Sequence, residues 1–141
     1  MFSKACEYGI RALTVIAEAG KENRKIGIKE LCKSANTPEP FTAKILQNLV
    51  KRDIISSQKG PTGGFYISRD LNNITLYDIV EAIDGKAIFN KCGLGLTQCN
   101  AKKPCPLHFK FEVVRDELNA MCKENTLQDL VNGFHAEVYK R

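Results

Sequence analysis

No stretch of this 141-residue chain approaches the roughly 20 consecutive apolar residues that a membrane-spanning helix needs, which argues against a membrane protein. The opening residues, MFSKACEYGIRAL, lack the long uncharged apolar core of a secretory signal, so the chain is expected to stay in the cytoplasm. There is no low-complexity tract, and hydrophobic residues make up 43%, enough for a packed core. Among the six cysteines no two lie two to four residues apart, the spacing usual for structural zinc. In a reducing compartment a disulfide framework is equally unexpected.

What the chain does hold is an uneven distribution of charge. The net charge is +5, and all of the excess lies in residues 1–72, where twelve Lys/Arg face seven Asp/Glu. Residues 73–141 carry nine of each. Within 40–69 there are five basic residues and a single acid, Asp53. A polyanionic partner for the first half is one reading, and a solvated basic face is the other.

Local signals divide the chain into elements. Ser3 is placed to cap a first helix, with Tyr8, Ala12, Leu13, Ile16 and Ala17 on one face, ending near Gly20. A short helix, KELCKSA, follows, with Leu31 and Cys32 facing inward. Thr37 as cap and Pro38 at the first helical position open a third helix, whose apolar face is Phe41, Ile45, Leu46 and Leu49 and which runs to about Arg52. IISSQ and FYIS read as two short strands joined by KGPTGG, a glycine-rich hairpin tip. Thr75 and Asp78 form a capping box for a helix that Asp84-Gly85 closes. The order helix, helix, helix, hairpin, helix is that of a winged helix-turn-helix.

Beyond residue 85 the character changes. Residues 86–108 are rich in Gly, Lys, Cys and Pro and read as an irregular loop. Phe111, Val114, Leu118 and Met121 then form a stripe suited to a long helix. Thr126 and Asp129 cap a last one, which carries Leu127, Leu130, Val131 and Phe134. The fold class expected is therefore mainly α with a small β-hairpin wing. Three regions compose it: a DNA-binding head over 1–85, a cysteine-rich loop over 86–108 and a helical dimerisation region over 109–141. The spare amphipathic helix suits burial against a second copy, giving a homodimer, or else packing on its own domain.

The third helix supplies the candidate reading face: Pro40, Ala43, Lys44, Gln47 and Lys51. Lys44 and Gln47 are long enough to reach base edges, and the Gln amide matches the donor–acceptor pair of adenine. Lys51, Arg52 and Lys59 suit phosphates, as do Thr37 and the free N–H groups of its helix start. Gly60 lets the hairpin tip approach a sugar–phosphate wall.

The cysteine cluster reads Cys92, six residues, Cys99, five residues, Cys105, two residues, His108. Three thiolates on such a loop can converge on one centre, and soft ligands of irregular spacing suit an iron–sulfur cluster better than zinc. A fourth ligand must come from elsewhere. His108 is the local candidate, and Glu7 is another if the loop of one subunit lies over its partner. Glu7 can equally pair with Arg11 one helical turn later. Cys6, Cys32 and Cys122 read as small buried apolar residues. A metal-free thiol switch remains the alternative for the clustered three.

EYGIRAL, KILQNLVKRDIISSQKGPTGGFYI, ITLYDIVEAIDG and the three-cysteine loop ending in CPLH together resemble the winged-helix iron–sulfur regulators typified by IscR and NsrR, over nearly the whole chain. The resemblance implies a homodimer on a palindromic DNA operator, a long C-terminal helix at the dimer contact, and a [2Fe-2S] or [4Fe-4S] cluster held by Cys92, Cys99 and Cys105. In that family the fourth ligand is either a histidine just after the third cysteine or an acid near the partner's N-terminus, and this chain offers both His108 and Glu7. Ala43 stands where the IscR branch carries a glutamate, so that branch's operator does not transfer. The expected function is a ligand-controlled repressor or activator, not an enzyme. A metal-free thiol-based regulator of the same fold, and a small iron–sulfur electron carrier, are the rivals.

Overall fold

The first helix, α1 (Lys4–Lys21), begins where Ser3 adopts an extended backbone and its hydroxyl oxygen accepts from the Cys6 N–H at 3.0 Å. The same hydroxyl donates to the Asp84 carboxylate, at 2.6 and 2.7 Å to its two oxygens, tying the start of α1 to a residue 81 positions further along the chain. The structure, a computed structural model, describes residues 1–96 and 102–134. α2 (Ile28–Ala35) and α3 (Glu39–Lys51) follow, and Leu31, Ala35, Ile45, Leu46 and Leu49 pack with Leu13 and Ile16 into one core. These are side chains at helical spacing, and burying each contributes about 1.5–3 kcal/mol.

Two short strands, β1 (Ser56–Gln58) and β2 (Gly64–Tyr66), pair antiparallel with Ser57 opposite Phe65. Ile26 extends the hairpin by a further bridge, exchanging hydrogen bonds with Phe65 at 3.1 and 2.8 Å. That approach requires glycine at position 64, whose φ is +142°. A side chain there would stand 2.7 Å from the Ile26 carbonyl. A 3₁₀ turn (Leu71–Asn73) leads to α4 (Leu76–Asp84), opened by the full Thr75–Asp78 capping box. The molecule is thus mainly helical with a two-stranded wing, as the sequence pattern indicates.

Three expectations change. First, Pro38 holds an extended ψ of 130° and takes the cap position of α3 itself, without a side-chain cap bond. Thr37 lies one residue too far back to cap, and its Oγ1 is buried without a partner. Second, residues 86–108 are not irregular throughout, because a single helical turn, α5 (Ala87–Asn90), forms where Phe89 stacks on Tyr77 of α4 at 4.6 Å. Third, α6 (His108–Glu124) divides the stripe read from its hydrophobic residues, packing Phe111 and Leu118 against the rest of the chain and leaving Val114 and Met121 outward. Val114 is 52% and Met121 42% exposed, while His108 and Cys122 are buried and Phe111, Arg115 and Leu118 half-buried. The packed face is therefore 108–111–115–118–122, in steps of three and four.

α7 (Leu127–Gly133) opens with a second complete capping box, Thr126–Asp129. Its start is stitched to the start of α4: the Leu76 N–H donates to the Asn125 carbonyl at 2.8 Å, and the Leu127 N–H to the Ile74 carbonyl at 2.7 Å. Leu127 and Val131 join the core formed by α1 to α3, so the chain returns to its N-terminal half after α6. Among the described residues no helix is long and apolar enough to cross a membrane.

Candidate DNA interface and cysteine centre

The surface of α3 follows from its buried side. Thr42, Ile45, Leu46 and Leu49 face the core, which leaves Pro40, Phe41, Lys44, Gln47, Asn48 and Lys51 outward. Phe41 was expected in the core but is 68% exposed, because position 41 falls on the turn that passes outside the 42–45–46–49 stripe. Gln47 and Lys51, with Ala43, form one wall of a cleft of about 700 Å³, and Ser57, Lys59 and Gly60 of the wing form the other. Pro40 and Lys44 instead line a neighbouring groove of about 590 Å³ with Phe41, Lys4 and Tyr8. The candidate reading residues therefore share one exposed helix face but divide between two hollows.

Lys25, in the loop between α1 and α2, grips the wing: it donates to the Gln58 amide oxygen and lies 5.0 Å from the Tyr66 ring. Sequence reading missed Lys25, Gln58, Phe41 and Asn48 as parts of this surface. For Phe41 and Asn48, the spacing 41–44–48 was the available signal. Arg52, beyond the end of α3, points toward α4 and pairs with Glu81 at 3.7 Å. Thr37 presents a buried hydroxyl rather than a capping one.

Of the clustered cysteines, Cys92 and Cys105 are half-exposed, and Cys99 lies outside the described residues. Cys92 follows α5 directly, and its Sγ accepts from the Leu94 N–H at 3.4 Å. Cys105 sits just before α6, where its carbonyl accepts from the His108 N–H at 3.0 Å. His108 is 8% exposed, with Nε2 3.8 Å from the Glu112 carboxylate and its ring edge-on to Phe109. Glu7 on α1 pairs with Lys4 at 3.7 Å, not with Arg11, which reaches the Asn36 carbonyl. Among the described residues no three Cys, His, Asp or Glu side chains converge, so Glu7 and His108 are not gathered with Cys92 and Cys105 into one donor set.

The other thiols are buried, as expected. Cys6 and Cys122 share a small core with Leu76, Val80 and Phe89. Burial pushes the Cys6 thiol up to about 12, with the nearby charges of Asp84, Cys122 and Glu7 acting the same way. Burial also raises Cys122. Both remain protonated near neutrality, and among the described residues neither is gathered with two further Cys, His, Asp or Glu side chains.

Residues 2–133 match the family Rrf2, described as iron-dependent transcriptional regulators. The chain belongs to the Rrf2 family. It is 32% identical over 134 residues to a protein of Aquifex aeolicus described as an HTH-type transcriptional regulator, covering 94% of this chain and 92% of that one. Among solved structures it resembles CymR, the global cysteine regulator of B. subtilis, with a TM-score of 0.77 at 18% identity, over 96% of this chain and 98% of that one. The IscR of T. potens superposes with a TM-score of 0.75 at 20% identity, over 94% and 87% of the two chains. These neighbours establish the fold, and the Rrf2 family is one of DNA-binding transcription regulators.

The iron dependence in the Rrf2 description poses a question of fit. The donors are soft thiolates, and a backbone N–H already points at the Cys92 sulfur, the kind of contact that stabilises sulfur ligands of an iron–sulfur cluster. Both described flanks of the segment rest on one helix, Cys105 at its start and Cys92 through contacts further along it. By their chemistry Cys92 and Cys105 suit such a cluster, and among the described residues no third donor stands with them.

Proposed function

We propose that this Rrf2-family regulator reads its operator as a homodimer, with an affinity set by an iron–sulfur cluster on Cys92, Cys99 and Cys105. The α3 face and the wing enter and flank the major groove. Gln47 and Lys44 take the base edges, Lys51, Lys59 and the Gly60 tip take the backbone, and Arg52 would join them only by leaving Glu81. When bound, the cluster supplies a centre sensitive to redox state, nitric oxide or iron–sulfur supply. The protein's own part is to hold the thiolates and to pass their arrangement on. The observation that supports this reading is that both flanks of the cysteine segment rest on α6, whose far end is buried with Cys6 of α1. Reordering of the segment would thereby reach the helix that organises the head, and a change of a few ångströms in head spacing lowers affinity for a two-fold operator.

Anaerobic isolation followed by visible absorption and iron and sulfide assay tests this. A brown protein whose operator affinity changes on cluster loss is expected. Colourless, iron-free wild-type protein after anaerobic reconstitution would overturn the cluster reading and leave the thiol-based regulator. Glu7→Ala and His108→Ala are expected to differ in cluster stability, which identifies the fourth ligand.

A further inference from the structure

We infer that Arg115 is a positioning residue for Cys92, working with Phe111 to hold the first ligand from α6. This rests on the cluster reading for its purpose but not for its geometry. Arg115 Nη1 donates to the Lys91 carbonyl at 2.7 Å and to the Asn90 carbonyl at 3.3 Å. The Lys91 carbonyl belongs to the same rigid peptide plane as the Cys92 nitrogen, so a cation bonded to it fixes the plane from which Cys92 departs. These carbonyls also lie at the end of the one-turn helix α5, where the last carbonyls lack partners within the helix itself and a cation is electrostatically favoured.

The other side of Cys92 is held from one helical turn away. A Cβ on Gly93 would stand 2.5 Å from two carbons of the Phe111 ring, so the residue after Cys92 lies against that ring and a larger residue there would have to push the ring aside. The chain then turns back on Cys92, with the Gly95 N–H donating to its carbonyl at 3.0 Å and the Leu94 N–H to its sulfur. Residues 111 and 115 thus grip both neighbours of Cys92 while its side chain stays half-exposed. This also explains why the packed face of α6 carries an arginine: its guanidinium serves the ligand segment instead of solvent.

The Leu94 and Gly95 amides are direct reporters, readable in cluster-free protein. Arg115→Met keeps the aliphatic stem and removes the donors, and Arg115→Lys keeps the charge but loses the fork. In Arg115→Met the exchange of these two amides should quicken about tenfold, with α3 and the wing unchanged. After anaerobic reconstitution, its cluster should be lost to a chelator several-fold faster and its visible spectrum should shift. Arg115→Lys should recover part of both effects. Gly93→Ala should reproduce the loosening from the other side, and Phe111→Ala in the same chain should relieve it. Wild-type exchange at Leu94 and Gly95 in Arg115→Met would overturn the inference. So would a cluster of unchanged spectrum and lifetime. Iron-free wild-type protein would overturn the cluster reading alone, and amide exchange would still decide what Arg115 does.

Discussion

Buried among Leu76, Val80 and Phe89, the Cys6 thiol ionises only near pH 12, whereas the unfolded chain ionises it near its ordinary 9.0. Between those values the unfolded state has released a proton that the folded state keeps, so the stability this group contributes is intact below pH 9 and falls as pH rises toward 12. The loss at pH 10 is roughly 1.4 kcal/mol, one pH unit past the unfolded midpoint. Cys6→Ala removes the titration and, with it, that increment of alkaline sensitivity. Urea unfolding at pH 8 and pH 10 should therefore show the wild-type advantage over Cys6→Ala narrowing by about this amount. An advantage that stays constant across the range would mean that Cys6 ionises alike in both states. The apolar character of this residue was legible from its being a cysteine apart from the cluster, a residue type most often buried. Its neighbours Asp84 and Cys122 were not, because they come from elements far away in sequence.

At the scale of elements, most of what is local was legible, the Thr37 cap being the exception, and what is tertiary was not. Ser3, Thr75 and Thr126 cap as read, since a cap involves a side chain and amides within three residues of it. α5 is too short to show a period and exists because Phe89 finds Tyr77. The packed face of α6 escaped because hydrophobicity marks Val114 and Met121, whereas the contacts select His108 and Arg115. The reading surface falls between these cases: Gln47 and Lys51 followed from the helix period, but their facing the wing across a cleft did not. That geometry separates two kinds of contact. Lys51→Ala and Lys59→Ala should each weaken DNA binding evenly across sequences and reduce the salt dependence of affinity by about one counterion. Gln47→Ala should instead relax selectivity at one base position, costing about 1–3 kcal/mol on the preferred site only. Binding titrations at several salt concentrations, on operator and scrambled DNA, distinguish the two. A Gln47→Ala variant with unchanged selectivity would move base reading elsewhere on the α3 face.

For the molecule as a whole, the face of α6 turned away from its own head decides the proposed assembly. Phe109, Val113, Val114 and Met121 are all exposed along a helix of 17 residues, about 25 Å long. Apolar side chains spaced over one helix and left in water are what a second copy would cover, and a two-fold pairing there would set the separation of the two reading helices. The same helix grips the Cys92 segment on its other side, so one element would lie between sensing and spacing. Val114→Glu places a charge in that strip without touching the packed face, so it should leave the thermal midpoint of the head nearly unchanged. It should shift the chain toward monomer in analytical ultracentrifugation and lower affinity for a two-half-site operator by tenfold or more, with single half-site binding retained. A Val114→Glu protein that sediments like the wild type and binds the full operator as tightly would place the dimer contact elsewhere, and the route from cysteine segment to head spacing would no longer run through α6.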